Sequence, residues 1–224
     1  MPTEIEMLEA LKESVVATYP KSPLCLRLHN TWTMKCYADA TLRCWYPELG
    51  RLVGFAVTAV YGLPDANYAK YSMADVTKAM EVADGPTIFI FEQRFPPEIA
   101  KKVGLSGGNM TTATQVAGCV GAITNGPSRD IDEIRPMGFQ YLTAGVCAGH
   151  GDMAIHALQV PVSVAGMDVA PDEIIHMDEK GFSSWVSRVR EGVSVDGGKT
   201  LRSPRLAIVF SQVISSPTRG HSGT

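Results

Sequence analysis

Two runs, Thr87-Ile88-Phe89-Ile90-Phe91 and Cys119 to Thr124, are almost wholly apolar. Strands without in-out alternation are buried on both faces, in sheets covered on each side by other elements. Between them, Gly108 to about Ala117 reads as a helix, and Gly118 suits its C-terminal cap. This β–α–β order predicts an α/β fold with a layered sheet core and flanking helices. Leu52 to Val60 is another β-rich run, ended by Gly62 and Pro64, and Tyr61 to Tyr71 reads as a loop. Ser72 is a candidate N-cap for a helix to about Ala83, and Pro96-Pro97 starts a short one. Phe139 to Thr143, Val160 to Val164, Glu173 to Met177 and Phe182 to Val186 read as strands, giving a β-rich second half. A helix over residues 3–18, an apolar segment from Leu206 to Val213 and a polar tail from Ser215 complete the reading.

The 224 residues suit one large domain or two small ones, and a single domain over 1–224 is the expectation. Apolar residues make up 45% and charged residues 19%, which supports a packed core. Twenty basic and 23 acidic residues leave a net charge of −3, with no electrostatic footprint for nucleic acid or an acidic membrane. No apolar run is long enough to span a bilayer, and the acidic start, MPTEIEMLEALKES, does not read as a signal peptide. Five scattered cysteines without a C-x-x-C pair point to reduced thiols and a cytoplasmic setting. Cys119 and Cys147 read as core filler.

The chemistry concentrates in one stretch. Gly107-Gly108 opens a helix, whose first N–H groups lack intrahelical partners and suit an anion. The amides of Gly108, Asn109 and Met110 are candidates to hold a substrate carboxylate. Asn125-Gly126-Pro127-Ser128 reads as a turn delivering Arg129-Asp130 at the carboxyl end of a buried strand, where ligands of open α/β sheets bind. Arg129 can hold a carboxylate or carbonyl oxygen. Asp130 is a hard oxygen donor suited to Mg²⁺ or Mn²⁺, and Glu133, three residues on, shares its face if a helical turn begins there. The pattern suits a small keto acid held against a divalent cation. The competing reading is an Arg-Asp ion pair or helix cap, with Asp132 and Glu133 a solvated first turn.

Other candidates are weaker. His150 and His156 flank Gly151-Asp152 but fit no zinc spacing, and a loop histidine is the simpler reading. His176 reads as a satisfied core or interface histidine. Gly197-Gly198-Lys199-Thr200 lacks the first glycine of a phosphate loop in register and reads as a hairpin turn.

Gly108, Arg129, Asp130 and Glu133 meet the pattern G-x20-R-D-x2-E/D, and through them the run from Gly107 to Glu133 resembles the RraA-like family. Leu52 to Thr58, Gly85 to Phe91, Pro161 to Gly166 and Val169 to Gly181 are similar to that family's flanking segments, so the resemblance covers about residues 45–186. The family includes the regulator of ribonuclease E activity A and metal-dependent aldolases that cleave 4-hydroxy-4-methyl-2-oxoglutarate. The resemblance implies a ββα swivelling-domain fold, homotrimers or homohexamers with interfacial sites, and Mg²⁺ or Mn²⁺ on Asp130. It implies Arg129 on the pyruvyl group of a 2-oxo acid, with retro-aldol cleavage and oxaloacetate decarboxylation through a pyruvate enolate.

The chain departs from that family at Gly108, where the aldolases carry an acid, leaving Glu133 to support metal waters alone. The segment 187–224 is divergent and offers only Asp196 past Glu191. The expected function is a metal-dependent carbon–carbon lyase on a 2-oxo acid. The alternatives are a non-catalytic regulator that binds a partner protein and a specialised lyase or isomerase on a larger metabolite.

Overall fold

This computed structural model describes residues 37–68 and 71–185. Strands β1 (Arg43–Cys44), β2 (Leu52–Gly62), β3 (Thr87–Gln93), β4 (Cys119–Ser128) and β5 (Gln140–Val146) are followed by β6 (Ala154–Leu158), β7 (Val162–Val164), β8 (Met167–Val169), β9 (Ile174–Asp178) and β10 (Gly181–Trp185). The helices are α1 (Met73–Glu81), α2 (Pro97–Ala100), α3 (Gly108–Val116) and α4 (Ile131–Ile134). The main sheet runs β1-β5-β4-β3-β2-β9-β10, with β6 also on β2, and β7 and β8 form a separate hairpin. β2, β3, β4 and β5 pair in parallel; the outer pairings are antiparallel. The fold is mixed α/β.

The apolar runs explain this order. Alternate residues of a strand face opposite ways. Phe89 and Phe91 pack with Val57, Ala59 and Tyr61 under Val76 and Met80 of α1. Ile88 and Ile90 pack on the other side with Ala56 and Val60, covered by Val162, Val164, Met167 and Val169 of the hairpin. Each such side chain contributes roughly 1.5–3 kcal/mol on burial, so a single-faced sheet would forfeit half of the core.

Local signals place the helices. Asp75 accepts bonds from the Ser72 amide (2.7 Å) and hydroxyl (2.8 Å) at the start of α1. Gly118 follows α3 at φ +89°, a conformation that glycine takes without strain.

Several expectations need correction. Asn125 to Ser128 is not a turn, because β4 runs on through it with a register shift between Thr124 and Pro127. On the other side of β4 the Asn125 side chain ties the strand to the end of β3, accepting from the Gln93 amide (2.6 Å) and donating to the Gln93 carbonyl (3.2 Å). Pro127 sits beyond the shift, where a strand tolerates proline. Tyr61 and Gly62 belong to β2 rather than to a loop. β6 and β8 were not expected; both are short, and β6 carries His156 at its centre. His156 is therefore a strand residue, stacked on Tyr68 at 3.9 Å with its Nε2 bonded to the Leu63 carbonyl (2.7 Å). Cys119 is core filler, its thiol pushed up to about 11 by burial. Cys147 is only half-buried. The expected helix over 3–18, the 206–213 segment, the tail and Gly197 to Thr200 lie outside the described residues.

His176 departs from expectation differently. It is buried, and its Nε2 has no hydrogen-bond partner among the described residues. Burial holds it below its ordinary pKa; Arg51 adds to that effect, whereas Asp178 and Glu179 oppose it. The unfolded chain thus binds a proton at His176 that the folded chain resists. Stability from this group falls as pH drops below about 6.5, with a slope approaching about 1.4 kcal/mol per pH unit. Thermal midpoints between pH 7 and 5 should fall less steeply in His176→Gln; parallel curves would reject this.

Candidate functional site

Asp130 ends the segment after β4 and caps α4 at φ 55°, ψ 32°, in the left-handed region. Aspartate is among the few non-glycine residues that visit it. Buried Ile134 anchors α4 in the core, and the Tyr46 hydroxyl donates to the Ile131 carbonyl (2.7 Å). The backbone around Asp130 is pinned as well: the Arg129 amide donates to the Ser106 carbonyl (2.8 Å), and the Cys147 amide donates to the Ser128 carbonyl (3.1 Å).

The loop before α3 therefore meets the end of β4. Gly108 N–H donates to Asp130 Oδ2 at 3.1 Å. The anion at this helix start is thus the chain's own aspartate. Asn109 is exposed and Met110 packs partly into the core; their amides lie in the first turn, where no carbonyl four residues back is available within the helix.

The two glycines explain how two carboxylates reach one place. A Cβ on Gly107 would lie 2.3 Å from Asp130 Oδ2. A Cβ on Gly108 would lie 2.7 Å from Glu133 Oε1. Each carboxylate rests on bare backbone. Glu133, expected to share a face with Asp130, does converge with it on the start of α3. Among the described residues its carboxylate has no hydrogen bond or ion pair.

Arg129 lies over Gly104, whose added Cβ would meet Arg129 Cγ at 2.3 Å. Its Nη2 is 3.7 Å from Asp130 Oδ2, a charge contact too long for a hydrogen bond. The fork of guanidinium donors is not spent on Asp130. Arg129 and Asp130 side chains are 29% and 33% exposed, so both can reach a ligand from solvent.

Beneath this surface lies a buried set of hydroxyls that sequence reading missed: Ser106, Thr111, Ser128 and Tyr141, none more than 2% exposed. Ser128 Oγ lies 3.2 Å from the carbonyls of Ser106 and Arg129, which share its one proton. Nothing in their spacing along the chain marks them as a group.

The donor set is one of hard oxygens. Mg²⁺ and Mn²⁺ take hard oxygens, and Mg²⁺ is usually held by one or two carboxylates with the remaining positions filled by water or substrate. Asp130 and Glu133 fit that requirement. Among the described residues no three His, Cys, Asp or Glu side chains gather into a cage, and His150 and His156 form no zinc site. No helix there is long and apolar enough to cross a membrane.

Solved structures share this fold. One described as a novel cellulase from gut-associated microbes is 17% identical and matches at a TM-score of 0.64 over 82% of this chain and 78% of the other. An unusual RraA-family RNase ES inhibitor protein from Streptomyces coelicolor matches at 0.61 and 18% identity, over 82% and 85%. The RNA-processing inhibitor RraA from Thermus thermophilis matches at 0.50 and 21%, over 70% and 90%. No curated protein matches the sequence. The family model described as Aldolase/RraA matches residues 24–183, and the chain belongs to the RraA-like family.

Proposed function

We propose that this protein is a divalent-metal-dependent carbon–carbon lyase acting on a small 2-oxo acid, with oxaloacetate decarboxylation its best-supported reaction. One observation carries the reading. Two carboxylates converge on bare glycine backbone beside a guanidinium that hydrogen-bonds no described residue. A structural ion pair would need neither the glycine seats nor Glu133.

Asp130, supported by Glu133, would hold Mg²⁺ or Mn²⁺. When bound, the metal supplies Lewis-acid stabilisation of negative charge developing on the keto oxygen. Arg129 orients the substrate through its carboxylate in a two-pronged contact. The amides of Asn109 and Met110 add donors at the helix start, while Gly108 spends its own on keeping Asp130 in place. Decarboxylation of a β-keto acid needs no base to take a proton from an alcohol. Trimers or hexamers with sites between subunits are part of this proposal.

The test is oxaloacetate loss by metal-stripped protein, with and without Mn²⁺, against Mn²⁺ alone. The expected result is no turnover after stripping and restoration above the metal-only rate by Mn²⁺ or Mg²⁺. Equal rates with and without protein would reject it. A second reading, a non-catalytic regulator that binds a partner protein, is favoured by the gathering of only two carboxylates among the described residues.

A further inference from the structure

The Gly107–Gly108 peptide is bonded at both ends. Its N–H holds Asp130 Oδ2 at 3.1 Å. Its carbonyl accepts from Thr111 Oγ1 at 2.9 Å as well as from the Thr111 amide at 3.0 Å. Thr111 Oγ1 also lies 2.8 Å from the Tyr141 hydroxyl.

The direction of this chain follows from elementary bookkeeping of protons. A threonine hydroxyl has one proton. A carbonyl oxygen has none, so the Thr111 proton goes to Gly107. With that proton so placed, the Tyr141 hydroxyl is the donor to Thr111, one of the two directions the contact allows. Burial pushes the Tyr141 phenol up to about 12, so it keeps its proton at neutral pH. Each bond in such a chain polarises the next, more so in a medium that excludes water. Tyr141 is 1% exposed and Thr111 is fully buried.

A plainer account is that a buried tyrosine needs some partner and Thr111 serves. That account leaves the end of the chain unexplained. Thr112 and Thr114 also bond back along α3, to the carbonyls of Gly108 and Met110. Neither receives a tyrosine hydroxyl in the described residues. The tyrosine stands behind the one peptide whose N–H grips the candidate metal ligand.

We infer that Tyr141 and Thr111 are positioning residues for Asp130, acting through the Gly107–Gly108 peptide. Tyr141 donates to Thr111, Thr111 donates to the Gly107 carbonyl, and the Gly108 N–H, strengthened as a donor, fixes one oxygen of Asp130. The other oxygen is left for a ligand. The consequence for metal binding rests on the function proposed above; the effect on the Gly108 amide does not.

The experiment reads both. In metal-free, glycine-labelled protein the Gly108 amide proton is identified by its loss in Gly108→Ala. It should move upfield in Tyr141→Phe and in Thr111→Val, and stay near its wild-type position in Thr111→Ser, which keeps the hydroxyl. Mn²⁺ affinity, measured by spin resonance of the free ion, should weaken about tenfold in Tyr141→Phe and Thr111→Val and hold in Thr111→Ser. The double variant should be no weaker than Thr111→Val, because both changes cut one chain. An unmoved Gly108 amide in folded Tyr141→Phe overturns the inference whatever the metal does. A moved amide in a protein that binds no Mn²⁺ at all leaves the relay standing and rejects the proposed function instead. Wild-type Mn²⁺ affinity in both Tyr141→Phe and Thr111→Val overturns the positioning role.

Discussion

Asp130→Asn should lower metal-dependent oxaloacetate loss by about 10³-fold, the largest single effect expected. Removing a direct ligand forfeits several kcal/mol of charge stabilisation, and every 1.36 kcal/mol is tenfold in rate. Asparagine is the informative replacement. It tolerates the left-handed backbone at φ 55° and keeps an oxygen able to accept the Gly108 N–H, so only the charge is lost. Alanine adds a backbone penalty of roughly 1–2 kcal/mol at the same place. Asp130 is one-third exposed, so stability should change little in the asparagine variant. Steady-state kinetics beside a thermal melt decide the matter. A variant with a tenth of wild-type activity or more would remove Asp130 from the metal site.

Gly107→Ala should follow, with a loss of about 10²-fold, the scale expected when a catalytic group is misplaced by about 1 Å. Its Cβ would stand 2.3 Å from Asp130 Oδ2. Asp130 is short, and its backbone is fixed by the cap of α4, so the carboxylate must rotate off the seat. Gly108→Ala provides the comparison. There the obstacle, at 2.7 Å, is the far end of the longer Glu133 side chain, which can swing aside. The expected order is therefore Gly107→Ala well below Gly108→Ala, with both proteins folded. Near-normal kcat in Gly107→Ala, or the reverse order, would show that the seat does not set the position of Asp130.

The core was legible because it is written in runs of like residues. Thr87 to Phe91 and Cys119 to Thr124 lack alternation, and both strands are covered on each face by the clusters around Phe89 and Ile90. The start of α1 was legible from Ser72, whose amide and hydroxyl find Asp75 three residues on. The Asn125–Ser128 segment was misread because its signals are local and its outcome is not. Asn-Gly-Pro-Ser carries turn chemistry, yet pairing with β5 and a side chain bonded to Gln93 keep it extended. His176 was expected to be a satisfied core or interface histidine because most buried polar groups are bonded; it is buried, and its Nε2 finds no partner among the described residues.

At the candidate site, Gly108, Arg129, Asp130 and Glu133 were singled out in the sequence, as a set of four through the family resemblance. Gly107 was visible only as half of a pair, and its role as the support of Asp130 is a matter of contact. Gly104, Ser106, Thr111 and Tyr141 left no trace, since a buried tyrosine in a strand reads like any other aromatic. Contacts across 22 residues, as between Gly108 and Asp130, or 30, as between Thr111 and Tyr141, have no periodicity to betray them.

The place of Tyr141 has a bearing on how easily this corner comes apart. Tyr141 lies on β5, and among the described residues the two of β1 are what separates β5 from the sheet margin. A brief peeling of that margin would take Tyr141 off Thr111 and disarm the corner, while the double-faced centre around β3 stayed intact.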